Sequence, residues 1–157
     1  ESQNHRAEMV FRHLGYKTSG IGSFEAGGDA VVKALRDAGA PMEGVVVADG
    51  SGLSRSNRAT AAALHGVLRV VAACPFGESF RDMLAEPAES GTLERRLVEL
   101  KERLFAKTGT LNGVSSLAGY LLGADGRWTV FAVLASGGAG STMRKLADDV
   151  VLELAKL

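Results

Sequence analysis

The sequence predicts an α+β protein in which an antiparallel sheet is flanked by helices. Residues 127–134, Arg127-Trp128-Thr129-Val130-Phe131-Ala132-Val133-Leu134, form the strongest strand pattern in the chain. Asp125-Gly126 before them is a type I′ hairpin signal, which pairs this strand with residues 115–122. Residues 103–107 read as a third strand and complete a meander. Helical periodicity stands before and after it, so helices pack against the sheet as layers.

At 157 residues and 46% hydrophobic composition, the chain is long enough to bury a substantial core in one domain. Lys and Arg number 18 and Asp and Glu 18, so no overall field recruits nucleic acid or an anionic membrane, and binding falls to a local site. Cys74 is the single cysteine and cannot form an intrachain disulfide; its apolar neighbours suggest a small core residue. No apolar run reaches the ~20 residues that a membrane-spanning helix needs. The chain opens at Glu1-Ser2-Gln3-Asn4 with neither methionine nor leader pattern, as expected of the interior of a longer protein.

Taken in order, Ala7, Val10, Phe11 and Leu14 recur at helical spacing, with Ser2 or Asn4 as N-cap and Gly15 as the stop. His5 and His13 lack a third ligand at metal-site spacing and read as solvated. Residues 16–28, rich in glycine and serine, read as a loop. Residues 29–38 form a short helix with Val31, Val32 and Leu35 inward, ending near Gly39. Residues 44–48 are a β-branched run typical of a buried strand. The polar segment Asp49-Gly50-Ser51-Gly52-Leu53-Ser54-Arg55-Ser56-Asn57 that follows lacks the lysine and second glycine of a phosphate-binding loop. Ser56 or Asn57 caps a helix over 59–73, with Ala62, Leu64, Val67, Leu68 and Val71 as its apolar residues, and Pro75 ends it. Residues 79–84 make a further helical turn, and 94–103 are helix-compatible before the chain turns to strand. Residues 141–156 close as a helix using Met143, Leu146, Val150, Val151 and Leu154.

Between the strands at 103–107 and 115–122 stands Lys107-Thr108-Gly109-Thr110. Read as local structure, Thr-Gly and Asn112-Gly113 are turn chemistry. Read as a site, a lysine at a buried strand edge calls for a negative partner, and the glycine lets another backbone or a ligand approach.

Ser2-Gln3-Asn4 opening a helix, the Asp49-Gly50-Ser51-Gly52-Leu53-Ser54 segment, and Lys107-Thr108-Gly109 followed by Leu117-Ala118-Gly119-Tyr120 together resemble the D-alanyl-D-alanine carboxypeptidase/endopeptidases, the class C low-molecular-mass penicillin-binding proteins. Sites of this kind combine Ser-x-x-Lys, Ser-x-Asn and Lys-Thr-Gly. The chain holds the second and third but no Ser-x-x-Lys; Ser141 comes nearest and is followed by Arg144, with lysine only at Lys145. The resemblance therefore implies that residues 1–157 are the C-terminal part of one catalytic domain of the penicillin-binding and serine β-lactamase-like fold. An upstream segment would carry the nucleophile.

What the resemblance implies for the site is specific. Ser2 relays protons, and Asn4 donates an amide hydrogen bond to the substrate. Lys107 holds Ser2 and attracts the terminal carboxylate of a D-Ala-D-Ala peptide, with Thr108 sharing that carboxylate. Gly109 lets the substrate backbone lie along the strand, and the Thr110 N–H forms half of an oxyanion hole. Asp49 and Ser54 belong to a rim loop, for which loop shaping is as good a reading as substrate contact. The same resemblance implies peptidoglycan peptides and β-lactams as partners, an extracytoplasmic location, and no metal or organic cofactor. Two alternatives stay open: a penicillin-recognising binding module that does not acylate, supported by the missing Ser-x-x-Lys, and a serine β-lactamase.

Overall fold

The computed structural model describes residues 3–157. The chain divides into two compact units, one ending at Val70 and one beginning at Val71. None of the helices in the described residues is long and apolar enough to cross a membrane.

In the first unit, α1 (Asn4–Ser19) and α2 (Phe24–Asp37) lie against each other. Helix α1 runs past Gly15 and stops at Gly20, which adopts φ 75° and donates its N–H to the Tyr16 carbonyl at 2.8 Å. Gly15 is instead a contact residue, since a Cβ there would sit 2.6 Å from the backbone nitrogen of Gly27. Residue Gln3 occupies the N-cap position, and Asn4 is the first helical residue. The expected loop over 16–28 shrinks to four residues, because Ser23 accepts from the Ala26 N–H at 3.0 Å and starts α2 at Phe24. Gly27 and Gly28, which read as loop glycines, are where the backbones close: a Cβ would lie 2.7 Å from the Phe11 carbonyl oxygen at Gly27 and 2.2 Å from that of Val47 at Gly28. Val31, Val32 and Leu35 are half-buried.

The β-branched run at 44–48 is not a strand. It makes one isolated bridge, Val46 with Arg58, through two 2.9 Å backbone hydrogen bonds, and Val46 stays exposed. Without a longer partner the run has no ladder to join, and its carbonyl at Val47 serves as packing surface for Gly28. Helix α3 (Ala61–Ala72) is capped by Thr60, whose Oγ1 accepts from the Ala63 N–H at 3.0 Å. Ser56 and Asn57, the expected caps, lie further back in the loop. Ala63, not Ala62, is the buried residue of this helix.

The second unit is built on an antiparallel sheet in the order β1 (Leu104–Leu111), β2 (Val114–Leu122), β3 (Trp128–Ser136). Helix α4 (Gly77–Asp82) precedes it and α5 (Gly140–Leu154) follows it. Residues 94–103 do not form the expected helix. Two short 3-10 turns, Gly91–Leu93 and Val98–Leu100, are separated by Leu97 at φ 54°, an uncommon conformation for a residue with a Cβ. That path buries Leu93, Leu97 and Leu100 together with Leu104, Leu117, Leu121 and Phe131. Core burial thus prevails over local helix preference. The opposite sheet face carries Phe105, Trp128 and the guanidinium of Arg81, which stands 4.4 Å from the Trp128 ring centre.

The hairpin between β2 and β3 is present, with a different turn from the one expected. Only Gly126 is left-handed (φ 76°), its N–H reaches the Gly123 carbonyl at 3.1 Å, and Gly123 N–H reaches Arg127 at 2.9 Å. This is a type I turn closed by a left-handed glycine rather than a two-residue I′ turn. Helix α5 buries Met143, Ala147 and Val151, whereas Leu146 and Val150, expected inward, are exposed. Arg103 ties the sheet to the end of α5, donating to the carbonyls of Leu122 at 2.9 Å and Ala155 at 3.1 Å.

Candidate active-site elements

Lys107-Thr108-Gly109 lies inside β1, not in a turn. The strand continues to Leu111, paired with Val114, and the reversal falls on Asn112 and Gly113. An antiparallel strand points the N–H and C=O of alternate residues to alternate sides. Ala106 gives both of its groups to Ala85, at 2.9 and 3.2 Å, on the side away from β2. By alternation, Thr108 and Thr110 direct their N–H and C=O groups to that same outer edge. Lys107 is exposed, and its ammonium bends to this edge, donating to the Thr108 carbonyl at 2.7 Å.

The Thr108 side chain leaves β1 on the face opposite to that of Lys107 and is only 8% exposed. Its hydroxyl lies 2.6 Å from that of Thr92 in the first 3-10 turn. At Gly109 the φ is ordinary, and the need for glycine is steric: a Cβ would sit 2.3 Å from the Ser116 hydroxyl on β2. Gly119 is tighter still, with a Cβ 2.1 Å from the Phe105 carbonyl oxygen. Neighbouring Tyr120 is buried, which pushes its phenol pKa up against the opposing pull of Arg81. Lys107 and the polar groups of Thr108 and Thr110 thus gather on one strand edge, a cation beside outward-facing amide donors.

The first unit holds the other motif residues. Asn4 opens α1, and Ser2 lies outside the described residues. One helical turn after Asn4, Glu8 accepts from the Gly50 N–H at 3.0 Å and the Ser51 N–H at 3.2 Å, clasping the mid-chain loop to α1. A Cβ on Gly50 would lie 2.6 Å from the Ala7 carbonyl oxygen, so glycine permits the approach.

Within the loop, Asp49 is the hub. Its carboxylate accepts from Ser54 N–H at 2.6 Å, Asn57 Nδ2 at 2.7 Å, Gly52 N–H at 2.9 Å and Ser51 Oγ at 3.3 Å, while Asn57 Oδ1 accepts from Ala48 N–H at 2.7 Å. Burial would raise the Asp49 pKa, but these hydrogen bonds outweigh it and hold the carboxyl below its ordinary value. Ser54 accepts from Ser56 N–H at 3.2 Å. Asp49, Ser54 and Asn57 therefore shape the loop through bonds the sequence left undecided.

Glu8, Thr92 and Ser116 were not singled out from the sequence. Glu8 is an ordinary helix glutamate until the loop returns from more than forty residues away, and Thr92 meets Thr108 only because the Ala85–Ala106 bridge lays its segment along β1. Among the described residues, no group of three or more His, Cys, Asp or Glu side chains is placed to hold a metal ion.

Comparison with known proteins returns one consistent answer. The chain is 33% identical to a D-alanyl-D-alanine carboxypeptidase of an Actinomadura species over 99% of its own length and 30% of that protein's. It is 35% identical to carboxypeptidase DacB of Mycolicibacterium smegmatis over 94% of its length and 34% of the relative's. Among solved structures it matches penicillin-binding protein 4 (dacB) of Haemophilus influenzae in a β-lactam complex, with a TM-score of 0.88, 26% identity, and coverage of 100% of this chain and 40% of that one. The chain spans about a third of the length of the curated relatives it matches. The model of the family described as D-Ala-D-Ala carboxypeptidase 3 (S13) matches residues 1–157, and the chain belongs to that family.

Proposed function

We propose that residues 1–157 are the C-terminal part of a serine-type D-Ala-D-Ala carboxypeptidase/endopeptidase domain. It would act on peptidoglycan peptides outside the inner membrane and be acylated by β-lactams. The observation that carries this reading is the outer edge of β1, where the Lys107 ammonium donates to the Thr108 carbonyl and the Thr110 groups face outward on the same edge. An extended peptide can lie on such an edge as an added strand, held by main-chain hydrogen bonds. Its terminal carboxylate is drawn to Lys107 and Thr108, and Gly109 keeps the strand free of a side chain there. The N–H of Thr110 faces the developing oxyanion.

A Ser-x-x-Lys segment upstream in the same protein supplies the rest. Its serine attacks the carbonyl before the terminal D-alanine, giving its proton to the paired lysine, and the departing amine takes a proton by way of Ser2. Asn4 donates its amide to the substrate. Water then releases the acyl group and restores the serine. Asp49 and Ser54 hold a rim loop in shape. No metal or organic cofactor has a part in this sequence of steps.

Lys107→Ala in the complete protein tests the reading. Loss of the carboxylate partner lowers β-lactam acylation by roughly two orders of magnitude or more, comparable with removal of a key transition-state donor. The fold survives, because Lys107 is exposed. Wild-type acylation in the variant would refute the assignment. A second measurement is intact mass after incubation with a β-lactam: residues 1–157 alone stay unmodified, and an adduct forms when the upstream segment is restored. A covalent adduct on one of this chain's own serines would show that the nucleophile is misassigned.

A further inference from the structure

Thr108 has one hydroxyl hydrogen and two acceptor lone pairs, and it is nearly buried. One hydrogen occupies the 2.6 Å gap between its Oγ1 and that of Thr92. If Thr108 supplied it, nothing would remain for a substrate. If Thr92 supplies it, the Thr108 hydrogen is left to point at a third acceptor, and the incoming bond makes that hydrogen a better donor. A carboxylate arriving at the outer edge of β1 selects the second arrangement, since an anion can only accept.

Thr92 is held in place for this. Its segment is joined to β1 at Ala85, which exchanges both backbone bonds with Ala106. The turn after it is closed by Ser90, whose N–H reaches the Glu86 carbonyl at 3.1 Å and whose Oγ accepts from Glu86 N–H at 3.3 Å. Beyond Thr92, Leu93 is 0% exposed in the core. A residue pinned on both sides keeps its hydroxyl within reach of Thr108, and the arriving anion decides which of the two donates.

We propose that Thr92 is a positioning residue for recognition of the substrate's terminal carboxylate: by donating to Thr108 it leaves the Thr108 hydroxyl hydrogen aimed at that anion. The inference rests on the function proposed above and adds a residue outside the family motifs. It predicts a selective effect. Thr92→Val removes the donor but sets a methyl where the hydroxyl stood, 2.6 Å from the Thr108 oxygen, so Thr92→Ala is read beside it; in both, the Thr108 hydroxyl loses its donor and is free to rotate.

The experiment uses the complete protein and compares acylation by benzylpenicillin with acylation by its methyl ester, which lacks the anion. In the wild type the free acid reacts faster than the ester. Thr92→Val slows the free acid about tenfold, the scale of one hydrogen bond to a charged group, and leaves the ester unchanged, so the preference collapses. Thr92→Ser restores it. Thr92→Ala, which only removes atoms, serves as a second variant and behaves like valine; folding of each is checked by thermal melting. An equal loss on both compounds, or no loss on either, would overturn the role of Thr92 while leaving the function standing. A wild type that is acylated by neither compound would overturn both.

Discussion

Leu93, Leu104, Leu117, Leu121 and Val151 are each at most 1% exposed in the second unit, and a single cluster joins them. The first unit buries one large aromatic, Phe11, with Met42 and the small residues Ala30, Ala40 and Ala63. Its elements are drawn together by glycines that let backbones touch and by two carboxylates, Glu8 and Asp49, that gather loop amides. One unit is held by apolar area gathered on a continuous ladder of strand pairs. The other relies on close approach and directed polar bonds, which depend on geometry and on charge.

Substituting matched glycines tests this difference most severely. Gly119→Ala places a methyl 2.1 Å from the Phe105 carbonyl oxygen, inside the β1–β2 ladder, where neither strand can withdraw without breaking pairs on both sides. A cost of about 3 kcal/mol or more is expected, read as a fall in the denaturation midpoint. Gly28→Ala meets a similar clash at 2.2 Å from the Val47 oxygen, but that segment makes only one bridge and has room to shift. About 1–2 kcal/mol is expected there, with the loss of hydrogen-exchange protection confined to the first unit. Equal costs would show that the two units are equally rigid.

Acid pH should separate the units next. Hydrogen bonds from Ser51 and Gly50 hold the Glu8 carboxyl below its usual value, and Asp49 is lowered likewise by its bonds from Asn57, Ser54, Gly52 and Ser51, which outweigh burial. Groups with depressed folded values contribute stability above their unfolded pKa, about 4, and lose it as pH falls through the folded value. The amides of Gly50, Gly52 and Ser54 should therefore lose protection below about pH 4 while those of β2 keep theirs. Glu8→Gln should reproduce the loss for Gly50 and Ser51 at neutral pH. Loop and sheet losing protection together would contradict this.

The smallest effect is expected on the outer sheet face. Arg81→Ala removes the cation standing 4.4 Å from the ring centre of Trp128, the only tryptophan in the chain. It should cost about 0.5–1 kcal/mol and change the intrinsic fluorescence without altering the sheet. An unchanged emission spectrum would mean that the ring and the guanidinium do not meet in solution.

Strands β2 and β3 were legible because apolar, β-branched and aromatic residues run between clear turn signals. Much of the first unit was not, because Gly15, Gly27 and Gly28 look like breaks in a string of letters. They act as contact points only once a second backbone is beside them. The same limit applies to residues 94–103, where Leu97 and Leu100 have helical spacing yet reach the core through 3-10 turns.

By itself the sequence determined the α+β class and the hairpin between β2 and β3, because these rest on local pattern and residue type, while Asn4, Lys107, Thr108, Gly109 and Thr110 were singled out through resemblance to a family. Only the tertiary structure decided that the strand continues past Lys107 through Thr108 and Gly109, since Thr-Gly and Asn-Gly are equal turn signals until the pairing of Leu111 with Val114 selects the second. It alone decided which way the Thr110 amide faces, because that depends on Ala106 bonding to Ala85. It alone brought Thr92 to Thr108 and the mid-chain loop to Glu8. Hydrogen bonds between residues distant in the chain leave no periodicity in sequence, and the burial of leucines and the meeting of backbones determine where they form.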